Sequence, residues 1–273
     1  MSIKKIVLHG LKIKATRPLF KLLFGIIAWL KHRVFLSIKY NVDRKCWEHY
    51  ENGQFVIADF QPNWNFTRVH LSNQVQKISY QYYQPHTGDI IVDVGAGIGT
   101  ETVIYSEDVR DGKVFAIEAH PETFDMLKLQ HERGMCQNVE IMNLAIGDRG
   151  GRIKIDTNSN HAINSIFGDN NGPTIMMTTL DELIQSRNLE KVSLLKINIE
   201  GAEKLAIIGL SNSVHLVENM LISCHDVLYY RGYGEHYRTK SVILDFLKKN
   251  NFEILTNSNP VIVDDWVYAT RKI

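Results

Sequence analysis

Short apolar runs alternate with helix-forming segments from residue 88 to the end of the chain. The runs are rich in β-branched residues, a pattern typical of strands buried on both faces of a parallel sheet, and they lie at residues 89–94, 113–117, 139–142, 192–199 and 219–224. Two further extended segments, 252–255 and 266–270, close the chain. Repeated strand-then-helix units predict an α/β fold with a mostly parallel seven-stranded sheet and a C-terminal antiparallel hairpin.

The first predicted strand ends in a glycine-rich turn, Asp93-Val94-Gly95-Ala96-Gly97-Ile98-Gly99. Glycines at alternate positions let the backbone approach a ligand, and a helix starting at Thr100 would point free N–H groups at whatever lies above the turn. The next strand ends in Glu118, 23 residues past Gly95. An acid at that place can accept hydrogen bonds from both hydroxyls of a ribose. The pattern predicts a site for a nucleoside-bearing cofactor.

The spacing of the glycines distinguishes between nucleoside cofactors. The dinucleotide fingerprint is G-x-G-x-x-G, whereas this loop has G-x-G-x-G. The spacing favours S-adenosylmethionine over NAD, with an NAD-dependent oxidoreductase as an alternative function. A tight strand-to-helix connection without a ligand is a further alternative.

Functional side chains follow the ends of several predicted strands. Ligands of open parallel sheets bind beyond the carboxyl ends of the strands, so six side chains are expected to converge: Asp93, Glu118, Asn198, Glu200, His225 and Asp226. An adenine ring would fit beside the turn after the third strand, where Asn143 either offers an amide hydrogen bond or is a plain turn residue. The predicted cofactor-binding residues are Asp93, Gly95, Ala96, Gly97, Gly99, Glu118, Ala119, Asn143 and Ala145.

Two segments lack a long helical period. Residues 41–86 are rich in aromatic side chains, and we expect short elements that lie over the cofactor pocket. Residues 149–178 have the pattern of an insertion of short strands. We therefore divide the chain into an extension (1–40), an aromatic-rich lead-in (41–86) and a main domain (87–273).

The basic residues are concentrated at the amino terminus. Nine of the 31 Lys and Arg lie in residues 1–42, which contain no acid, and the rest of the chain has 22 bases and 30 acids. A general affinity for nucleic acid is therefore not expected. The three cysteines, Cys46, Cys136 and Cys224, have no metal-ligand spacing and indicate reduced thiols in a cytoplasmic protein.

The amino-terminal segment is both basic and apolar. Its uncharged core, residues 22–30, has nine residues, fewer than half of the ~20 that cross a bilayer. On a helix, Phe24 and Trp29 lie on a broad apolar face, which suits peripheral contact with an anionic membrane, here the inner membrane face. The alternative is a helix that packs on the domain or at a dimer contact.

Five motifs occur in order along the chain: Gly88-Asp89-Ile90-Ile91-Val92-Asp93-Val94-Gly95-Ala96-Gly97-Ile98-Gly99, Glu118-Ala119-His120-Pro121, Leu144-Ala145-Ile146-Gly147-Asp148, Thr179-Leu180-Asp181 and Lys196-Ile197-Asn198-Ile199-Glu200-Gly201-Ala202-Glu203. Together they resemble the FkbM-type family of S-adenosylmethionine-dependent methyltransferases, over residues 80–272. The resemblance implies a class I, Rossmann-like methyltransferase fold and O-methylation of a sugar, glycan or natural product. Some relatives methylate protein amides.

Two positions depart from the family pattern. The family usually has Asp where this chain has Asn198, and often Asn where it has Gly97. The neutral amide at 198 replaces a carboxylate that would help hold the sulfonium charge or orient the acceptor. A catalytically dead, membrane-associated binding module is therefore an alternative to an enzyme.

The resemblance also suggests candidates for the chemistry. Methyl transfer is an in-line displacement, so the enzyme mainly holds the reacting atoms collinear in a dry site, and a base within hydrogen-bond reach raises the rate by ~10²–10⁴. His225 is the first candidate, because imidazole titrates near neutral pH. Glu200, Asp226 and Asn198 complete the catalytic set, although Glu200 is alternatively the cap of a helix beginning at Gly201.

No metal site is predicted. The histidines show no paired spacing such as H-x-x-x-H and no two cysteines are close in sequence, and methyl transfer does not require a metal. His120 and His161 are lesser candidates, for which plain polar roles are expected.

Overall fold

The described residues, 2–134, 137–155, 172–255 and 266–272 of a computed structural model, form an α/β fold. The helices are α1 (Ile3–Lys12), α2 (Arg17–His32), α3 (Arg68–Ile78), α4 (Thr100–Asp108), α5 (Pro121–Glu132), α6 (Leu180–Ser186), α7 (Glu203–Ile208), α8 (Asp226–Tyr230) and α9 (Lys240–Lys249). The strands are β1 (Leu36–Asn41), β2 (Cys46–Glu51), β3 (Gln54–Asp59), β4 (Ile90–Val94), β5 (Lys113–Ile117), β6 (Val139–Met142), β7 (Ala145–Ile146), β8 (Gly151–Lys154), β9 (Thr174–Thr178), β10 (Val192–Ile197), β11 (Val217–Ser223), β12 (Phe252–Leu255) and β13 (Trp266–Arg271). Short 3-10 turns lie at Val214–Leu216 and Glu235–Tyr237.

Seven strands form the central sheet in the order β12-β13-β11-β10-β4-β5-β6. Strand β13 runs antiparallel to both of its neighbours, and the pairings among β4, β5, β6, β10 and β11 are parallel. The predicted seven-stranded sheet and its antiparallel closing pair are confirmed. The chain order reverses between β4 and β10, and a crevice at the carboxyl ends of such strands is where open α/β sheets bind ligands.

Both faces of the central sheet are buried. In β4, Val92 and Val94 pack in one apolar cluster, whereas Ile91, the residue before Val92, packs in another that includes Tyr105 of α4. Successive residues of a strand point to opposite faces, so each face of the sheet has its own core. This burial explains why the parallel strands appear in the sequence as almost continuous apolar runs.

The insertion after β6 forms a small three-stranded sheet in the order β7-β9-β8. It leads into α6, where the Thr179 hydroxyl accepts a hydrogen bond from the N–H of Glu182 at 3.0 Å and the Glu182 carboxylate accepts one from the N–H of Thr179 at 3.1 Å. This reciprocal pair is the capping box that the Thr-x-x-Glu spacing predicts.

The amino-terminal helices pack on an antiparallel sheet made of β1, β2 and β3. Val7 and Leu11 of α1, Phe24 and Ala28 of α2, and Trp47 of β2 share one buried cluster. The boundary drawn after residue 40 falls inside β1, which pairs with β2 along its whole length. The extension and the lead-in therefore form one structural unit. No helix among the described residues has both the length and the hydropathy needed to cross a membrane.

Candidate active site

A cavity of about 340 Å³ lies at the carboxyl ends of β4, β5 and β10. One wall consists of the glycine loop after β4, and a second consists of residues 117–120 at the end of β5. A third wall is apolar and includes Leu144, Ala145, Ile146 and Ile155, and residues 198–200 after β10 form a fourth. The cavity therefore occupies the crevice that the strand order predicts.

The glycine loop is held close to its neighbours by two backbone contacts. The N–H groups of Gly95 and Ala96 both donate to the carbonyl oxygen of Ile117, at 2.9 and 3.0 Å. Gly95 has φ +77°, and a Cβ added there would lie 2.0 Å from the carbonyl oxygen of Asn198. Gly97 has φ +59°, and apart from Gly97 itself and its two chain neighbours no atom of the described residues lies within 4 Å of its Cβ position. Gly95 is therefore required by close packing, whereas Gly97 faces open space at the cavity.

Glu118 lies directly beside this loop. Its Oε2 accepts a hydrogen bond from the N–H of Gly97 at 2.9 Å, and its Oε1 accepts one from the N–H of His120 at 2.8 Å. Burial raises the pKa of Glu118 and outweighs these two hydrogen bonds, which lower it. The carboxyl group, the glycine loop and the apolar wall thus face one cavity, in the arrangement that the 23-residue spacing predicts.

Asp93 has a different role from the predicted one. Its side chain is fully buried, receives a hydrogen bond from the Thr102 hydroxyl at 2.9 Å and contacts the Lys196 ammonium at 2.9 Å. Lys196 is also buried and donates to the carbonyl oxygen of Gly95 at 3.0 Å. Burial would lower the pKa of Lys196, but Asp93 and Glu101 reverse that effect and raise it. Asp93 therefore supports the loop from beneath and is not among the described residues lining the cavity.

Three other predicted cofactor-binding residues are also not among the described residues that line the cavity. Ala96 is buried in the core beside α4. Gly99 is the N-cap of that helix. Asn143 donates both of its amide hydrogen bonds to the backbone, to the carbonyl oxygens of Glu118 at 2.9 Å and Ala119 at 3.0 Å. The amide NH2 group of Asn143 therefore braces the backbone at the wall of the cavity.

Glu200 brings a carboxyl group to the cavity from the loop after β10. Its φ of +49° is a left-handed conformation that non-glycine residues rarely adopt. Such strained residues are concentrated at functional sites. Asn198 lines the same wall. The alternative role for Glu200 as a helix cap is wrong, because α7 begins at Glu203 and it is Glu203 Oε1 that accepts from the N–H of Gly201, at 3.2 Å.

His225 lies between two carboxylates, behind Glu200. Its Nε2 is 3.2 Å from Glu200 Oε1, and its Nδ1 is 2.8 Å from Glu203 Oε1. Burial alone would lower the pKa of His225, but the hydrogen bonds with Glu200 and Glu203 outweigh it and raise the pKa to about 10. At neutral pH this imidazole is already protonated. The prediction of His225 as general base is therefore wrong, and the structure gives it the role of holding Glu200.

Asp226 caps a helix. Its Oδ2 accepts hydrogen bonds from the N–H groups of Thr239 and Lys240, both at 2.9 Å, and from the Thr239 hydroxyl at 3.3 Å. These groups begin α9, whose first N–H groups have no partner within the helix. Asp226 is buried and is not part of the described cavity lining. Its predicted role in the chemistry is replaced by a structural one.

Residues 41–86, all of which the structure describes, contribute nothing to the lining of the cavity. The side chain of Gln130 in α5 bonds the backbone N–H and carbonyl of Ala58, at 3.1 and 3.0 Å, and α3 packs on α4. The expectation that this segment covers the pocket is wrong, because β3 packs on α5, α3 packs on α4 and Trp47 of β2 packs with α1 and α2.

Several residues at the site carry only a weak signal in the sequence or none. Lys196 lies inside an apolar run, where a lysine requires a buried acidic partner, and that requirement is the signal that points to Asp93. The apolar side chains of the cavity wall, such as Leu144 and Ile155, have no comparable sequence signal, because apolar residues also fill the core. His120, a lesser candidate, does line the cavity, and His161 lies outside the described residues.

Nothing in the described ranges forms a group of three or more side chains able to hold a metal ion. Cys46 and Cys224 are buried and not in disulfides, and burial raises the pKa of Cys46 to about 11. Cys136 lies outside the described residues.

Residues 93–254 match the methyltransferase FkbM domain family. Hexuronic acid methyltransferase AglP of Haloferax volcanii is 24% identical over 177 residues, which cover 63% of this chain and 70% of that protein.

Two solved structures also resemble the chain. Methyltransferase FkbM of Methylobacillus flagellatus has a TM-score of 0.47 at 14% identity, covering 76% of this chain and 55% of that chain. A putative methyltransferase of Streptococcus mutans in complex with SAH has a TM-score of 0.43 at 12% identity, covering 74% of this chain and 95% of the other.

Proposed function

The chain belongs to the methyltransferase FkbM domain family, and from this premise we propose that it uses S-adenosylmethionine to methylate a hydroxyl group of a saccharide that contains a hexuronic acid. The observation that carries the proposal is the hydrogen bond between Glu118 Oε2 and the N–H of Gly97 at the cavity. It holds the acid at the end of β5 beside the glycine loop of the neighbouring strand β4, and doubly wound folds use an acid in this place to bind the ribose of a nucleoside.

The described residues fit this cofactor. The cavity volume of about 340 Å³ lies within the range of small-ligand sites, about 300–1,000 Å³. The open space at Gly97 leaves room for a ligand against the backbone. Ile117, Leu144 and Ile146 provide an apolar wall for a flat base. Glu118 would hold the ribose, and the backbone of residues 95–97 would hold the amino-acid part.

When bound, S-adenosylmethionine supplies a methyl group on a positively charged sulfur. The contribution of this chain is to bind and orient both partners in a site with few waters. Glu200 is the proposed proton acceptor for the acceptor hydroxyl, because its carboxyl group lines the cavity and its position is fixed by His225 at 3.2 Å. A positioned base of this kind contributes ~10²–10⁴ to the rate.

His225 acts in this proposal as a positioning residue. Its imidazolium lies between Glu200 and Glu203 and neutralises part of their combined charge. Asn198 lines the wall on the other side of Ile199 from Glu200, where its amide can donate and accept hydrogen bonds. An amide at this position orients the acceptor without adding a third carboxylate.

The choice of acceptor is supported by two observations. AglP, the relative from Haloferax volcanii, is named a hexuronic acid methyltransferase. In this chain the segment that follows β11 contains His225 and continues to Tyr230 and Tyr233, whose side chains are 79% and 56% exposed. Exposed tyrosine rings provide flat apolar faces with a polar end, and the exposed Arg231 between them offers a partner for a carboxylate.

The proposal is tested with S-adenosylmethionine labelled in the methyl group. We expect label in oligosaccharides that contain glucuronic acid and much less in matched neutral oligosaccharides, with the methyl group found on oxygen by mass spectrometry. Glu200→Gln should lower kcat by ~10²–10⁴ without weakening cofactor affinity, and the exposed Glu253→Gln serves as the control. Absence of label from every saccharide, or full activity of Glu200→Gln, would overturn the proposal.

A further inference from the structure

Helix α2 has apolar side chains on two opposite sides. Phe24 and Ala28 are fully buried on one side, where the Phe24 ring lies 6.0 Å from the ring of Trp64. On the other side an apolar face is exposed to solvent. We call this the α2 outer face, and it consists of the side chains of Leu19, Leu22, Leu23, Ile26, Trp29 and Leu30, which are between 37% and 63% exposed.

The α2 outer face is continuous along the helix. At about 100° per residue, its six side chains fall within an arc of about 120°. A helix that is apolar on all sides is ordinarily buried on all sides. One side of α2 already packs on the protein, so its outer face needs another apolar environment. Helix α1 adds two exposed apolar residues, Ile3 and Ile6, and the residue after its end, Ile13, adds a third.

The charge around this face indicates what covers it. Residues 1–42 contain nine Lys and Arg and no acid, and Lys12, Lys14, Lys31 and Arg33 are exposed. Two copies of the chain meeting through this region would bring like charges together without an opposing acid, which disfavours such an interface. An anionic surface would attract the same charges.

We propose that the α2 outer face binds the surface of an anionic lipid bilayer, with α2 parallel to the membrane plane. Apolar side chains then enter the boundary between headgroups and acyl chains, while the surrounding Lys and Arg contact anionic headgroups. Trp29 suits this depth, because tryptophan is enriched at membrane interfaces, and the Arg33 guanidinium lies 5.0 Å from its ring. This proposal is independent of the proposed methyl transfer.

The test is flotation of the full chain with lipid vesicles. Wild type should float with vesicles of equal parts phosphatidylcholine and phosphatidylglycerol, weakly with phosphatidylcholine alone, and less as salt increases. Leu22→Ser/Ile26→Ser should lower the partition coefficient at least about tenfold, since two large apolar side chains no longer enter the bilayer. Ile208→Ser/Val242→Ser removes two exposed apolar side chains from α7 and α9 and should bind like wild type.

Light scattering without lipid distinguishes a membrane from a second copy. The proposal predicts that wild type and Leu22→Ser/Ile26→Ser have the same mass in solution. The proposal is overturned if wild type does not float with anionic vesicles. It is also overturned if Leu22→Ser/Ile26→Ser floats to the same extent as Ile208→Ser/Val242→Ser. A dimer that Leu22→Ser/Ile26→Ser converts to a monomer, without vesicle binding by wild type, would assign the face to a second copy.

Discussion

The ammonium group of Lys196 lies 2.9 Å from Asp93 Oδ1, and both side chains are completely enclosed by the protein. The same ammonium contacts Glu101 Oε2 at 3.1 Å and the Gly95 carbonyl oxygen at 3.0 Å. A single buried charge therefore connects β10, β4, α4 and the glycine loop.

Replacing Lys196 with methionine should lower the free energy of unfolding by about 3–5 kcal/mol, because a buried carboxylate would lose its partner. Lys113→Met is the matched control. Its ammonium lies 3.9 Å from Glu140 Oε2 at the surface, and such pairs contribute about 0–1 kcal/mol. Urea unfolding of both variants measures the difference, and equal effects would contradict the role given to Lys196.

Gly95 and Gly97 should respond differently to substitution. Gly95→Ala should destabilise the protein by about 2 kcal/mol or more, because its Cβ would meet the carbonyl oxygen of Asn198 in a left-handed conformation. Gly97→Asn should lower the free energy of unfolding by less than about 1 kcal/mol. Asparagine tolerates φ near +59°, and apart from Gly97 itself and its chain neighbours no described atom lies within 4 Å of the Cβ position. Thermal unfolding followed by circular dichroism compares them, and similar losses would contradict this account of the loop.

The stabilising effect of His225 should depend on pH. Its pKa is about 10 in the folded protein against 6.5 ordinarily, so the stabilisation is complete below about pH 6.5 and is lost as the pH rises through 10. The difference in unfolding free energy between wild type and His225→Gln should therefore shrink between pH 7 and 10.5. Denaturant titrations across this range measure it, and a constant difference would show that His225 is not held as an imidazolium.

Asp226→Ala should lower stability by about 1–2 kcal/mol, since the first N–H groups of α9 would lose their acceptor. At temperatures where the variant remains folded, its affinity for S-adenosylmethionine should equal that of wild type. The control is Asp245→Ala, an exposed substitution on the same helix. Calorimetric melting and ligand titration give both quantities. If Asp226→Ala has normal stability but binds S-adenosylmethionine more weakly, Asp226 contributes to the ligand site and the helix-capping account is wrong.

The elements of the fold that could be predicted are those whose sequence pattern lies within a few consecutive residues. Parallel strands buried on both faces leave apolar runs, and β5 and β6 have the predicted bounds, 113–117 and 139–142. The capping box at Thr179 is similarly local, because both of its hydrogen bonds span three residues. The position of Glu118 beside the glycine loop followed from a spacing that parallel strand pairing imposes.

The missed features depend on contacts between distant parts of the chain. Lys196 and Asp93 meet because β10 pairs directly with β4, an adjacency that sequence order does not reveal. The protonated state of His225 depends on Glu203 and Glu200. Without those two contacts, its ordinary pKa makes a histidine a candidate base. The segment 41–86 has the aromatic content of a pocket wall, but its strands are buried elsewhere.

The most direct test of the central claim is isothermal titration of the purified chain with S-adenosylmethionine and, separately, with NAD. We predict saturable one-site binding of S-adenosylmethionine and none of NAD. Glu118→Ala should weaken this binding about tenfold to a hundredfold, the effect of losing hydrogen bonds to a charged group, while Glu253→Ala leaves it unchanged. Binding of NAD, no saturable binding of S-adenosylmethionine, or full affinity in Glu118→Ala would contradict the claim.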